Sequence, residues 1–198
     1  KRENSDSNPN KNLIIVESPT KVKTIKGYVG NDYEVVATKG HIMELPKYSL
    51  GIDIKNGFDP KYEILSDKKA LVKSLIESAK DKKAIYLASD NDREGEAIAF
   101  HVQKVLEDNI DKSISFHRIV FNEITNNAII SSLKAPRQID IKKVDSQKAR
   151  RVLDRLVGYQ ISPILWKKIM KGISAGRVQS VTLRYIVDRE SERENFTP

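Results

Sequence analysis

Short runs of apolar, mostly β-branched residues alternate along much of the chain with stretches of helical apolar spacing. The apolar runs predict strands at 13–16, 33–38, 62–65, 84–89 and 116–121. The spacing between them predicts helices at 19–29, 67–80, 94–107 and 125–133. This alternation predicts an α/β fold, with a mostly parallel sheet flanked by helices.

Local signals set the limits of the first helix and mark one long loop. Ser18 suits the N-cap, Pro19 suits the first helical position, and Gly30 suits the end of the helix. Residues 39–60 are rich in Gly, Pro, Asp and Asn, so we expect an irregular loop there.

The pattern changes after a linker at 134–140 and becomes wholly helical. A second helix of this part is expected to begin near 174–176. We therefore expect a disordered tail at 1–11, an α/β domain at 12–138, and part of an all-α domain at 139–198. Because the helical pattern has no evident end, we expect the chain to be a fragment. One apolar stripe is predicted to face the core of the all-α part: Ala149, Val152, Leu153, Leu156, Val157, Ile161 and Ile164.

Composition limits the class of protein. Hydrophobic residues make up 39% and charged residues 31%, the balance of an ordinary globular protein. No apolar run is long enough to span a bilayer, and the polar start does not resemble a secretory signal. Cysteine is absent, which excludes disulfides and thiolate zinc sites in these residues and fits a cytoplasmic setting.

The positive charge is concentrated in one segment. Residues 142–177 hold ten Lys or Arg and two Asp, so this segment accounts for the whole net charge of +8. Such a segment is either a solvated helix face or a surface that binds phosphates, and composition leaves both interpretations open.

Three carboxylates follow the predicted strand 84–89. Asp90, Asp92 and Glu94 repel one another unless a cation lies among them, and hard oxygen ligands suit Mg²⁺. The helix dipole would account for Glu94 and Glu96 but not for Asp90 and Asp92. A calcium EF-hand is rejected, because His101 stands where the loop needs its twelfth residue, a glutamate.

Glu17 and Lys21 extend this acidic site. Glu17 ends the predicted strand 13–16, and Asp90 ends the strand 84–89. The carboxyl ends of parallel strands share one edge of a sheet, where ligands bind, so Glu17 should lie near the acidic cluster if the two strands are neighbours. Lys21 lies one helical turn beyond Glu17. A carboxylate, a lysine and a metal site on one edge suit phosphoryl chemistry.

Six segments of the chain form a recognisable series. In order, they are VESPTKVKTIKGYVG, TKGHIMELP, LASDNDREGEAIAFH, RIVFNEIT, DSQKARRVLDRLVGYQISPILWKK and SAGRVQSVTLR. Together they resemble segments of bacterial type IA DNA topoisomerases. The acidic segment alone would indicate only the wider Toprim group, which includes primases, OLD-type nucleases and RecR-like proteins. The helical segments narrow the resemblance to topoisomerases.

The resemblance implies a Toprim domain followed by part of the helical domain that forms the single-strand DNA groove. The family cleaves one strand through a tyrosine, giving a 5′-phosphotyrosine, passes another strand and reseals. It needs Mg²⁺, uses no ATP and relaxes negative supercoils. The implied partner is DNA, single-stranded and negatively supercoiled, with no membrane. A monomer in the cytoplasm, associated with the nucleoid, is expected.

The resemblance also assigns residues. Glu17 matches a proposed general acid for the 3′-oxygen, Lys21 matches a lysine that stabilises charge on the phosphate, and Arg118 is a further catalytic candidate. The metal-ligand candidates are Glu17, Asp90, Asp92 and Glu94. The DNA-binding candidates are His41, Arg150, Arg151, Asp154, Arg155, Tyr159, Arg177 and Gln179.

Part of the DNA-binding assignment has support from residue spacing. Gln147, Arg151, Arg155 and Tyr159 step by four along one helix, and both arginines lie opposite the apolar stripe. Two guanidinium groups and a phenol on an exposed face suit the stacking of single-stranded bases. A solvated basic face with a half-buried tyrosine explains the same spacing, so both interpretations stay open.

The sequence departs from the family at the nucleophile. None of the seven tyrosines has the Y-x-R-T-D-S context, and segments for a gate domain or a C-terminal zinc region are missing. We therefore expect these residues alone to be inactive. A standalone Toprim nuclease or primase, and a nucleic-acid-binding module with a structural acidic cluster, are the alternatives.

Overall fold

The computed structural model describes residues 11–197. The disordered tail predicted at 1–11 lies outside the described residues, apart from Lys11. The strands are β1 (Asn12–Val16), β2 (Tyr33–Ala37), β3 (Met43–Glu44), β4 (Ile52–Asp53), β5 (Asp59–Pro60), β6 (Glu63–Ile64), β7 (Ala84–Ala88) and β8 (Ser115–Arg118). The α-helices are α1 (Pro19–Val29), α2 (Lys69–Ala79), α3 (Arg93–Glu107), α4 (Asn126–Lys134), α5 (Ile141–Lys168) and α6 (Arg177–Glu194).

Four parallel strands form the main sheet, in the order β2-β1-β7-β8. In the central strand β1, Leu13 and Ile15 face one side of the sheet, and Ile14 and Val16 face the other. All four are buried, because helices cover both faces: α2 and α3 on one side, α1 and α4 on the other. The predicted fold class is confirmed.

The signals that delimit α1 act as expected. The Ser18 hydroxyl accepts a hydrogen bond of 3.3 Å from the Thr20 amide, and Pro19 is the first helical residue. Gly30 ends the helix with φ of +70°, a conformation that favours glycine.

Two segments differ from their predicted form. The loop expected at 39–60 contains three two-residue strands, β3, β4 and β5. The strand expected at 116–121 ends at Arg118, whose backbone forms an antiparallel bridge with Arg137 of the predicted linker. The Ile119 amide still donates to the Leu87 carbonyl of β7 at 3.0 Å, so β8 pairs with β7 on one side while Arg118 pairs with the predicted linker on the other.

The chain divides into two compact units. The first, here called the acidic-edge unit, comprises Lys1–Leu45 and Tyr62–Gln147; the second, the helical unit, comprises Pro46–Lys61 and Lys148–Pro198. The main sheet and both apolar cores lie in the acidic-edge unit. The predicted domain limits of 12–138 and 139–198 stay a prediction.

The apolar stripe of α5 in the helical unit is less buried than expected. The apolar stripe of α5 was expected to face a core, yet Leu153, Ile161 and Ile164 are exposed. Val152 is the stripe residue that is buried. The reason is physical: a stripe is buried only where another layer covers it, and no residue of Arg177–Glu194 is itself buried. Among residues 11–197, no helix has the length and apolar character needed to cross a membrane.

Candidate functional site: the acidic edge of the sheet

Glu17 and Asp90 meet at the carboxyl edge of the main sheet. Val16 pairs with Ala88 in the parallel register of β1 and β7, so the residues after these strands leave the sheet side by side. Lys21, in the first turn of α1, forms an ion pair with the Asp90 carboxylate. The three side chains are thus brought together as the sequence predicts, and a lysine is held beside two carboxylates.

Asp92 and Glu94 complete what we call the acidic edge, which comprises Glu17, Lys21, His41, Asp90, Asp92 and Glu94. The Asp92 carboxylate accepts a 2.7 Å hydrogen bond from the Gly95 amide as the N-cap of α3. Asp92 therefore has a structural role as a direct cap of α3, which is separate from the helix dipole that was not expected to account for it. Glu94 Oε2 lies 3.1 Å from His41 Nε2, and it also accepts a 3.1 Å hydrogen bond from Gln147 Nε2.

The acidic edge changes the ionisation of Glu17. Burial raises the pKa of Glu17, and the nearby carboxylates of Asp90 and Asp92 raise it further. Lys21 and His41 oppose the shift by favouring the charged form. A carboxylic acid that keeps its proton closer to neutral pH is better suited to act as a general acid.

The donor set of the acidic edge fits Mg²⁺ in chemistry, with carboxylate oxygens as hard ligands. Its geometry is more restrictive: across residues 11–197, no three His, Asp or Glu side chains converge to hold a metal ion. Asp90 is paired with Lys21, and Asp92 caps a helix. The arrangement suits an ion held by one or two carboxylates, with water and substrate phosphate completing the shell, as is usual for Mg²⁺.

Arg118 lies beneath the acidic edge and is 1% exposed. Its Nη1 donates to the carbonyl oxygens of Leu87, Ser89 and Ile119 at 2.6–3.0 Å, and its Nη2 donates to the Asp90 carbonyl at 2.8 Å. The catalytic role that the resemblance implies for Arg118 stays a prediction. Its contacts are those of a positioning residue, because it holds the backbone on which the Asp90 carboxylate is mounted.

Glu96 was missed by the sequence analysis and is fully buried. It accepts hydrogen bonds from Arg118 Nε at 3.2 Å, from Arg137 Nη2 at 3.4 Å and from the Asp140 amide at 2.7 Å. A buried carboxylate requires such partners. Its place in SDNDREGEA suggested only an acid favoured by the helix dipole, so no local signal distinguished it.

The turn from Asp90 to Gly95 is closely packed. The Ser89 hydroxyl donates to the Gly95 carbonyl at 2.5 Å. A Cβ atom on Gly95 would lie 2.2 Å from the Asp90 carbonyl oxygen, so only glycine fits this approach. An open cleft of about 320 Å³ lies beside the ion pair of Lys21 and Asp90, with Asn91 and Asn122 in its lining. The carboxylates are therefore fixed next to an accessible space.

The predicted DNA-binding residues of the helical unit form two groups. Around Asp154, the Arg177 Nε donates at 2.8 Å, and the Arg150 guanidinium approaches to 4.0 Å. Gln179 Nε2 donates to the Ser174 carbonyl at 2.6 Å. Asp154, Arg177 and Gln179 line a groove of about 490 Å³.

The second group, Arg151, Arg155 and Tyr159 of α5, differs from expectation, because both arginines were expected on an exposed face. Arg155 is half-buried, and its Nη1 donates to the carbonyl oxygens of Pro46 at 2.8 Å and Ser49 at 3.3 Å. Tyr159 lies under the guanidinium, with the Arg155 Cζ 5.1 Å from its ring centroid. Gln147, which the spacing put on this face, is buried in the acidic-edge unit. Arg151 is half-buried as well.

Comparisons with known proteins identify the family of each part of the chain. Residues 12–124 match the family model of the Toprim domain, and residues 138–198 match the family model described as DNA topoisomerase. Full-length topoisomerase I from Thermotoga maritima is a similar solved structure, with 48% identity and a TM-score of 0.81. The match covers 93% of this chain and 31% of that chain.

The parallel sheet with its acidic edge is that of a Toprim-domain protein. Within that class, the matches on both parts of the chain show that it belongs to the bacterial type IA DNA topoisomerase family. The resemblance stated from the six sequence segments is thereby confirmed. The chain spans about a third of the length of the solved relative, at 31%.

Proposed function

We propose that this chain provides the acidic edge and part of the single-strand DNA-binding surface of an enzyme that relaxes negatively supercoiled DNA. The enzyme would cleave one strand transiently through a 5′-phosphotyrosine, without ATP. The proposal depends chiefly on one observation: Glu17, Lys21 and Asp90 lie together at the carboxyl ends of adjacent parallel strands. We further propose that the enzyme is a monomer and that it associates with the nucleoid in the cytoplasm.

Each residue of the acidic edge has a role in this proposal. The Lys21 ammonium neutralises charge on the scissile phosphate, and Glu17, with its raised pKa, protonates the 3′-oxygen as it leaves. Asp90, Asp92 and Glu94 are the candidate ligands of Mg²⁺, which would stabilise negative charge on the phosphate when bound. His41 orients the Glu94 carboxylate through their 3.1 Å contact.

The nucleophile is the part that these residues do not supply. Each of the seven tyrosines lies outside a Y-x-R-T-D-S context. A tyrosine hydroxyl is weakly nucleophilic unless its surroundings activate it. We therefore propose that the 198 residues bind metal and DNA but do not cleave DNA alone.

The metal assignment predicts that Mg²⁺ raises the melting temperature of the parent chain and not that of the Asp90→Asn/Asp92→Asn variant. Asparagine keeps the N-cap at position 92, so the variant retains the start of α3 while losing both negative charges. Thermal melts with and without Mg²⁺ measure the shift. The matched control is Asp67→Asn/Asp108→Asn, which removes two exposed carboxylates and should respond as the parent does. An equal response from the Asp90/Asp92 variant would place the metal site elsewhere.

The DNA-binding assignment predicts that Arg151→Lys or Arg155→Lys weakens single-strand binding more than Lys142→Ala does. Lysine keeps the charge but loses the planar fork that stacks and donates in pairs. A base contact of this kind is worth on the order of 1–3 kcal/mol. Fluorescence anisotropy with a short labelled oligonucleotide, over several salt concentrations, compares the variants. If both arginine variants bind like the parent while Lys142→Ala binds more weakly, this surface binds DNA through its charge alone and makes no base contact.

A further inference from the structure

The loop at 46–49 is anchored to α5 by three carbonyl oxygens. Arg155 Nη1 donates to the carbonyls of Pro46 and Ser49, at 2.8 and 3.3 Å, and the Tyr159 hydroxyl donates to the carbonyl of Lys47 at 3.0 Å. Arg155 Nη1 also donates to the Tyr159 hydroxyl at 3.1 Å, which locks the two side chains together. Arg155 and Tyr159 therefore fix the backbone of this loop against α5.

The following residues close the loop on itself. Gly51 has φ of +66°, and a Cβ there would lie 2.5 Å from Pro46 Cδ. The Lys61 amide donates to the Gly51 carbonyl at 2.8 Å, next to the antiparallel pair of β4 and β5. The backbone on both sides of residue 48 is thus fixed by contacts within the helical unit.

The anchored loop at 46–49 presents one aromatic side chain, Tyr48, to solvent. Tyr48 is 88% exposed, more than any other large hydrophobic side chain among residues 11–197. The Lys47 ammonium lies 5.2 Å from the centroid of its ring. Burial cannot explain why a rigid loop presents this ring. Its large, stiff surface is suited to contacting a ligand, because little conformational entropy remains to be lost.

The groups around Tyr48 indicate which kind of ligand would bind there. An exposed ring stacks on a nucleobase, and an adjacent ammonium binds the neighbouring phosphate. On the same hairpin, a cleft of about 530 Å³ is lined by Ile52, Ile54, Lys55 and Lys61. Asp53 also lines it, and its carboxylate accepts hydrogen bonds from the backbone and side chain of Asn56. Apolar surface bordered by cations is the pattern of a groove for single-stranded nucleic acid, whose bases and phosphates are both accessible.

We propose that Tyr48 is a stacking platform for one base of single-stranded DNA, with Lys47 on the adjacent phosphate. This proposal extends the proposed function, since it requires that the helical unit binds single strands. In it, Arg155 and Tyr159 contribute to DNA binding by holding the platform in place, in addition to any base contact of their own. The loop at 46–49 becomes part of the DNA-binding surface.

The test compares Tyr48→Ala, Tyr48→Phe and the matched control Tyr185→Ala, which removes another exposed tyrosine of the helical unit. Anisotropy is measured with a labelled thymidine oligonucleotide and with an abasic deoxyribose-phosphate oligomer of equal length. Tyr48→Ala should weaken thymidine binding by about 5- to 150-fold, the usual range for one stacked base. Tyr48→Phe should stay within about twofold of the parent, because the ring is kept. Neither variant should change the affinity for the abasic oligomer.

Three outcomes would overturn the assignment. The first is parent-like thymidine binding by Tyr48→Ala; if Arg151→Lys still weakens binding, the proposed function stands without the platform. The second is an equal loss in Tyr185→Ala, which would make any exposed tyrosine equivalent. The third is a parent chain that fails to bind thymidine oligonucleotide at low salt, which would overturn the proposed function as well. Thermal melts verify that each variant is folded. Because the Tyr48 side chain is exposed, its substitution should leave the melting temperature unchanged.

Discussion

Gly95→Ala is expected to disrupt the acidic edge and to lower the free energy of unfolding by about 3 kcal/mol, the upper range for overpacking. The added Cβ would lie 2.2 Å from the Asp90 carbonyl oxygen and 2.8 Å from the Asp90 carbonyl carbon and amide nitrogen. All three are backbone atoms, so no side chain can rotate away. The turn that carries Asp90 and Asp92 must move instead. Urea denaturation measures the stability, and a Mg²⁺-dependent melt reports whether the acidic edge survives.

The control is the same substitution at a glycine that has space around it. Gly27 lies in α1, and a Cβ there would meet nothing within 4 Å. Gly27→Ala should raise the free energy of unfolding by about 0.5–1 kcal/mol, because alanine restricts the unfolded chain and favours the helix. The two variants are therefore expected to shift stability in opposite directions. A stable Gly95→Ala protein that still responds to Mg²⁺ would show that the turn does not need this close approach.

The acidic edge was predictable because its placement depends on topology alone. The buried run at 13–16 and the signals at Ser18 and Pro19 define β1 and the start of α1. Once β1 and β7 are parallel neighbours, Glu17 and Asp90 must share an edge. The sequence left open whether the two strands are neighbours, but no step needs any knowledge of side-chain packing.

The supports of the acidic edge were not predictable. Arg118 binds carbonyl oxygens about thirty residues earlier in the chain, at Leu87, Ser89 and Asp90. Backbone carbonyls are present at every position and leave no mark in the sequence. For the same reason Glu96, whose partners are far along the chain, could not be told from an ordinary acid of a first helical turn.

The helical unit shows a related limit. Periodicity located α5 and α6, but it could not show that Arg155 and Tyr159 are engaged by the loop at 46–49. A loop has no periodic pattern to match with a helix face. The face of α5 opposite the apolar stripe was therefore expected in solvent, yet Arg155 on that face is half-buried, while stripe residues such as Leu153 and Ile164 are exposed.

Glu96→Ala is expected to lower the free energy of unfolding by about 3–5 kcal/mol, the usual cost of removing one partner of a buried ion pair. The substitution leaves the Arg118 guanidinium without its carboxylate, and Arg118 and Glu96 side chains are both fully buried. It also removes the acceptor of the Asp140 amide, just before α5 begins. Glu96→Gln keeps an acceptor oxygen and should lose less. Glu107→Ala, at an exposed position of the same helix, should change stability by about 0.5 kcal/mol or less.

A double-mutant cycle with Arg118→Ala separates the ion pair from a simple loss of packing. If Glu96 acts by neutralising Arg118, removing it costs much less once Arg118 is gone, because no unpaired cation stays buried. The double variant should then lose about 1–3 kcal/mol less than the sum of the two single losses. Arg118→Ala should remain costly in either background, since the carbonyls of Leu87, Ser89 and Asp90 lose their donor. Additive losses, measured by urea denaturation, would mean that the two residues support the acidic edge independently and not as a pair.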